Sequence, residues 1–328
     1  MNHTRDEAWK RCVLPKIVLN GKKMRQKRKW LGGKRVRSAG SLVGIRARVG
    51  VWLELLRLPN LFTVPGDVLV GWVLAGMRGG FPWAGVAASL CLYSAGLLLN
   101  DCLDVHIDRC ERPQRPIPSG RITRGRVLIV AMVLSGCGLV LSGSGIEIAG
   151  LLLALIVCYD GGIKRIPGLG VLVMGACRGV NVWLGAAVSY PVGQAPFSAR
   201  LGAAMMFLAG YILLVSIVAR HEAERQAWVS PLWRCFPVLM TLAWIPLVWL
   251  LGYGWHGEAV FAAAALIPVV IGCRAVPSLV AGLIRHLILL QALWCVIALP
   301  LGWVEIWMGG FVVCWGLAML AGMRIAGS

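Results

Sequence analysis

The sequence predicts an all-α membrane protein, a polytopic transmembrane bundle of nine to ten helices around a central cavity. Three observations predict it. The 328-residue chain is 58% hydrophobic and only 14% charged, whereas water-exposed domains carry about 25% charged residues. Apolar runs recur at roughly the 20-residue length that a helix needs to cross a bilayer. The net charge of +19 is distributed unevenly between the connections that join those runs.

Residues 1–50 hold fifteen Lys or Arg against Asp6 and Glu7 alone. They read as a basic, disordered cytoplasmic tail, and residues 51–328 as one transmembrane domain. A basic segment ahead of a membrane helix also suits contact with anionic lipid. The tail has no long apolar region ending at a small-residue cleavage site, so it is a poor signal peptide. No recognition module accompanies its charge, which argues against a nucleic-acid partner.

Val51 to Leu58 is a short interfacial segment carrying Glu54 and Arg57. Candidate spans follow at 60–77, 81–100, 126–143, 146–161, 169–189, 200–219, 235–254, 258–273, 284–301 and 303–322. The fourth and eighth are short, and only Gly302 separates the last two. With the tail on the cytoplasmic side, that side also receives the Arg cluster at 109–126, then Lys164 and Arg165, then Arg220, Arg225 and Arg234, then Arg274 and Arg285. The opposite connections offer only Arg78 and Arg200. This positive-inside asymmetry supports ten spans with both ends cytoplasmic.

Eleven cysteines are present, without a C-x-x-C pair, and most sit singly inside apolar runs. They behave there as small hydrophobes. Cys102, His106 and Cys110, spaced four and four, form the one candidate face for zinc, but a fourth ligand is missing.

The chemistry concentrates in 100–126, NDCLDVHIDRCERPQRPIPSGRITRGR. Helical spacing puts Asn100, Asp101, Asp104 and Asp108 on one face. Carboxylates so close repel unless a cation lies between them. Oxygen donors suit Mg²⁺, which takes one or two carboxylates together with phosphate oxygens. The arginines behind them, Arg112 and Arg115 among them, suit an anion such as diphosphate. A carboxylate face with a metal and an arginine clamp reads as a diphosphate site.

The pattern N-D-x-x-D-x-x-x-D followed by R-P-x-R-P-I-P-S-G resembles the first aspartate-rich motif of the UbiA superfamily of membrane prenyltransferases. Tyr93-Ser94-Ala95-Gly96 and Met174 to Asn181 resemble the EboC-type branch of it. The resemblance implies Mg²⁺-dependent transfer of an isoprenyl group from an isoprenyl diphosphate to an acceptor it does not specify. It implies further that Tyr159 with Lys164 five residues on supplies a lysine to the diphosphate. A positive-inside anchor is the alternative for that lysine. Arg57 and Asn60 match a position lining the acceptor pocket.

The resemblance also implies a second motif, with aspartates such as D-x-x-x-D, in the loop after the sixth span. Here that place reads Arg220-His221-Glu222-Ala223-Glu224, without an aspartate. Glu222 and Glu224 complete the candidate metal ligands, and Asp160 or Glu222 is the candidate proton acceptor. This departure keeps a second function class open: non-catalytic binding or transport of a prenyl diphosphate or lipid. Arg178 and Asn181 lie mid-span and three apart, and are candidate substrate ligands. A buried Arg must find a partner, and Asp67, beside the helix-breaking Pro65-Gly66, is the alternative to the diphosphate.

Overall fold

The computed structural model describes residues 40–166, 168–223, 276–298 and 301–324, with side chains in 48–166, 168–220, 280–298 and 309–320. Every regular element among them is helical. In chain order these are α1 (Gly40–Leu55), α2 (Leu58–Leu61), α3 (Val64–Leu74), α4 (Trp83–Leu103), α5 (Val105–Glu111), α6 (Arg124–Leu141), α7 (Ile146–Gly161), α8 (Leu169–Ala187), α9 (Ala199–Ala223), α10 (Val276–Ala298) and α11 (Leu301–Arg324). Short 3₁₀ turns, Gly143–Gly145 and Ile163–Arg165, precede and follow α7.

Six of the described helical stretches are long and apolar enough to cross a membrane: Trp83–Leu103, Arg124–Leu141, Gly143–Gly161, Leu169–Ala187, Ala199–Arg220 and Val280–Ala298. Leu58–Leu74 and Gly309–Leu320 are shorter apolar helices. These eight fall on eight of the ten expected spans. The spans expected at 235–254 and 258–273 lie outside the described residues, as does most of the basic tail. Helix α1 runs across residue 50, so the expected tail boundary falls inside a helix.

Helix α6 shows how such a helix meets its surroundings. Only Val127, Ala131, Ser135 and Gly138 are buried, a stripe at spacings of four and three. Ile129, Met132, Val133 and Val140 are more than half exposed. An apolar helix with one buried stripe and an apolar outer face is built for lipid.

The first span is broken. Pro59 and Pro65 lie at the starts of α2 and α3, where a missing N–H is tolerated. Between α1 and α2, Arg57 takes the left-handed conformation, φ 47° and ψ 55°.

Helix α3 packs on α8 almost backbone to backbone. A side chain at Gly71 would strike the Val182 carbonyl, and one at Gly185 would strike the Val68 backbone. Small residues permit this approach in membrane bundles, and it brings Asp67 of α3 to Arg178 and Asn181 of α8. Helices α9 and α10 pack through Phe207, Leu208, Tyr211, Leu283, Leu287 and Trp294.

Candidate active site

The site forms where α4 meets α5. Helix α4 ends at Leu103, and the chain bends at Asp104, φ −87° and ψ 3°. The backbone ladder survives the bend, since Asp104 N–H donates to Asn100 O at 2.9 Å and Asp108 N–H to Asp104 O at 2.9 Å. The four-residue spacing therefore keeps its meaning. Asp101 and Asp108 are buried on the inner side, while Leu103, His106, Ile107 and Arg109 are exposed.

Three cations from three other segments close on these carboxylates. Arg115 Nη1 lies 2.9 Å from Asp108 Oδ2 and 3.3 Å from Asp101 Oδ1. Arg57 Nη2 reaches the same Asp101 oxygen at 3.4 Å. Lys164 Nζ donates to Asp104 Oδ2 at 2.7 Å, to Asn100 Oδ1 at 2.8 Å and to Asp160 Oδ1 at 3.4 Å.

Local sequence explains how each cation arrives. Pro116, Pro118 and Gly120 fold 112–123 into a compact turn, with Ser119 Oγ donating to Arg115 O at 2.7 Å. Ile117 and Ile122 of this turn are buried against Leu55 and Val105, and Arg121 clamps Glu54 of α1 at 2.7 and 2.9 Å. The turn thereby carries Arg115 back onto the carboxylates. Gly162, φ 154°, ends α7 in a conformation that side chains disfavour, and the 3₁₀ turn after it returns Lys164 towards α4. Arg220 Nη2 holds the Lys164 carbonyl at 3.0 Å.

Four carboxylates, from Asp101, Asp104, Asp108 and Asp160, thus meet three cations in direct contact. Among the described residues, Asp104 Oδ1 is buried with no hydrogen-bond partner. An unpartnered carboxylate oxygen in low dielectric is costly, and this one fits a further cation. No three Asp, Glu, His or Cys side chains among the described residues converge closely enough to hold a metal unaided. The oxygen donors present are of the kind Mg²⁺ takes together with phosphate oxygens, and the described residues give no support to zinc at Cys102, His106 and Cys110. Cys102 is buried with its Sγ 3.7 Å from Arg124 O, whereas His106 is exposed.

The remaining expected residues are placed differently. Arg112 is exposed and caps α5 through its N–H to Asp108 O at 2.8 Å, away from the carboxylates. Asn60 sits at the break in the first span. Glu224 and the side chains of His221 and Glu222 lie outside the described residues.

Arg178 takes the internal partner rather than the site above. Its Nη1 meets Asp67 Oδ2 at 2.5 Å and Thr63 O at 3.1 Å, and its Nη2 meets Thr63 Oγ1 at 2.7 Å. Asn181 Nδ2 donates to Asp67 Oδ2 at 2.9 Å, and Asn181 Oδ1 accepts from Ser89 Oγ at 2.6 Å. Gln291 of α10 completes the cluster, donating to Asp67 Oδ1 at 2.6 Å and Thr63 O at 2.8 Å. Thr63, Ser89 and Gln291 are absent from the sequence-based candidates. Gln291, one amide in a long apolar run, was the available signal, because polar groups at membrane depth need partners.

The model of the UbiA prenyltransferase family matches residues 67–326. The chain belongs to that family. It is similar to digeranylgeranylglyceryl phosphate synthase of Methanopyrus kandleri, 32% identical over 168 residues, which cover 49% of this chain and 60% of that one. It is also similar to the Methanosarcina barkeri protein of the same name, 30% identical over 161 residues, covering 43% and 56%. The matched stretch thus spans less than two thirds of these relatives. Among solved structures, a UbiA homolog from Archaeoglobus fulgidus bound to GPP and Mg²⁺ superposes with a TM-score of 0.54 at 14% identity, covering 84% of this chain and 99% of that one. A UbiA homolog from Aeropyrum pernix gives 0.52 at 19% identity, covering 77% and 96%. At these identities the likeness is one of UbiA fold. Family and helices together make this a multi-pass membrane protein.

Proposed function

We propose that this chain transfers an isoprenyl group from a prenyl diphosphate to an acceptor, with Mg²⁺ as cofactor, in a membrane-embedded cavity. The observation that carries the reading is the meeting of Asp101, Asp104, Asp108 and Asp160 with Arg57, Arg115 and Lys164 at the end of α4. Asn100, Asp101, Asp104 and Asp108 would hold the metal, with Glu222 and Glu224 as the sequence-based second set. When bound, Mg²⁺ supplies charge neutralisation to the departing diphosphate.

The chain's own residues do the rest. Lys164 and Arg115 present cations to the anion that leaves, the kind of fixed electrostatic stabilisation that usually dominates such catalysis. Arg115 suits two-pronged recognition of a phosphate, and Lys164 acts as a point charge. Both now rest on carboxylates, so they exchange those partners for phosphate oxygens when substrate arrives. The allylic cation left behind would then be captured by the acceptor. Asp160, buried 3.4 Å from Lys164, accepts the proton of an acceptor that has one to lose.

The relatives' name directs the choice of acceptor. An alcohol bearing glyceryl phosphate is the first to test, ahead of aromatic acceptors. Charge placement supports a site facing the cytoplasm.

The test offers the purified protein labelled geranyl diphosphate and Mg²⁺, with a panel of glyceryl phosphate and aromatic acceptors, and identifies products by mass. A prenylated acceptor that fails to form in EDTA supports the reading. Binding of the labelled diphosphate without any prenylated product across the panel favours the non-catalytic binder.

A further inference from the structure

A chain of hydrogen bonds joins the buried cluster to the carboxylate site, and Thr63 is its central link. Thr63 is fully buried at the break between α2 and α3. Its Oγ1 accepts from Arg178 Nη2 at 2.7 Å and donates its one proton to Asn60 O at 2.7 Å. Thr63 N–H donates to that same carbonyl at 3.1 Å, and Asn60 N–H donates to Arg57 O at 2.8 Å. Arg57 then reaches Asp101 at 3.4 Å.

This segment lacks what usually fixes a helix entry. Pro59 and Pro65 remove two backbone donors. Arg57 holds a left-handed conformation, φ 47°, which an L residue keeps only where its surroundings impose it. Those surroundings include Glu54, whose carbonyl accepts from Arg57 N–H at 3.3 Å, and Asn60, whose N–H holds Arg57 O and whose own carbonyl is held by Thr63. Arg178 comes from α8 and Gln291 from α10, both onto Thr63 O.

We propose that Thr63 is a positioning residue, relaying the Asp67–Arg178 pair through Asn60 to Arg57 and so setting the guanidinium that closes on Asp101. The part Arg57 plays in substrate binding rests on the function proposed above. Its placement by Thr63 does not. A hydroxyl is required because both of its capacities, acceptor and donor, are in use. Valine keeps the shape and loses both, whereas serine keeps both.

The experiment compares full-length wild type, Thr63→Val and Thr63→Ser in detergent, each also in an Arg57→Ala background. One readout is amide hydrogen exchange over 57–63 against 83–103. The other is affinity for geranyl diphosphate with Mg²⁺. Thr63→Val is expected to speed exchange over 57–63 and to weaken binding by about three- to tenfold, the scale of one or two net hydrogen bonds. Exchange over 83–103 stays as in wild type, Thr63→Ser restores both readouts, and the binding effect of Thr63→Val vanishes once Arg57 is alanine.

Unchanged exchange over 57–63 in Thr63→Val would overturn the proposal, as would an equal loss of binding in the Arg57→Ala background. Absence of Mg²⁺-dependent binding in wild type removes the proposed function, and the exchange arm still decides the relay. Should Thr63→Val fail to fold, Gln291→Met loosens the other grip on Thr63. Faster exchange over 57–63 is then expected, and none would overturn the relay.

Discussion

Lys164 Nζ lies 2.7 Å from Asp104 Oδ2, while the other oxygen of that carboxylate is buried without a partner among the described residues. One half of Asp104 is thus neutralised by a lysine just beyond the end of α7, and the other half meets no cation among the described residues. Asp104 stands at the bend between α4 and α5, central among the acids, which makes it the most informative single position in the site.

Asp104→Asn keeps the shape and removes the charge. Its expected outcome is loss of EDTA-sensitive binding of geranyl diphosphate, read by calorimetric titration, with a weak metal-independent component left on Arg115 and Lys164. Full, EDTA-sensitive binding in this variant would remove the metal assignment.

Lys164→Met takes away the cation shared by Asn100, Asp104 and Asp160. Prenyl diphosphate affinity is expected to fall by about tenfold or more, in line with about 1.5–3 kcal/mol for a hydrogen bond to a charged group. Lys164→Arg should recover part of it. The comparison is a titration of all three proteins at one Mg²⁺ concentration.

How much of this was legible in the sequence differs by residue. The eight spans that fall among the described residues were legible because bilayer thickness sets the length of an apolar run. The inward face of Asn100, Asp101, Asp104 and Asp108 was legible because a helix has one period, and the bend at Asp104 does not interrupt its ladder. Which arginine reaches them was not. Arg112 and Arg115 look equivalent in sequence, but the prolines and buried isoleucines of 112–123 send one outward and one in. The Asp67–Arg178 pair was readable as one of two alternatives, because a buried charge must be paired. Its third partner, Gln291, stands 224 residues from Asp67, and no local pattern carries contacts of that range.

Asp67→Asn leaves Arg178 charged and buried. Because breaking a buried pair costs about 3–5 kcal/mol, a large fall in thermal stability is expected. The double variant Asp67→Asn with Arg178→Met should be less destabilised than Asp67→Asn alone. Differential scanning fluorimetry in one detergent makes the comparison. A double variant as unstable as the sum of both singles would deny the pairing its role.

Topology is checked by single cysteines placed at Ser119 and Gln194 in a background without reactive thiols. Ser119 is exposed on the turn after α5, and Gln194 is exposed between α8 and α9. An impermeant thiol reagent is expected to label them from opposite sides of sealed vesicles, with Ser119 reactive on the cytoplasmic side. Labelling of both from one side would contradict the orientation.

The most direct measurement is release of inorganic diphosphate from labelled geranyl diphosphate, with acceptor and Mg²⁺, by wild type, Asp104→Asn and the Glu222→Gln/Glu224→Gln pair. The account predicts turnover by wild type that EDTA abolishes, none by Asp104→Asn, and a several-fold reduction in the glutamine pair. Tight binding of the prenyl diphosphate by wild type with no diphosphate released would contradict it.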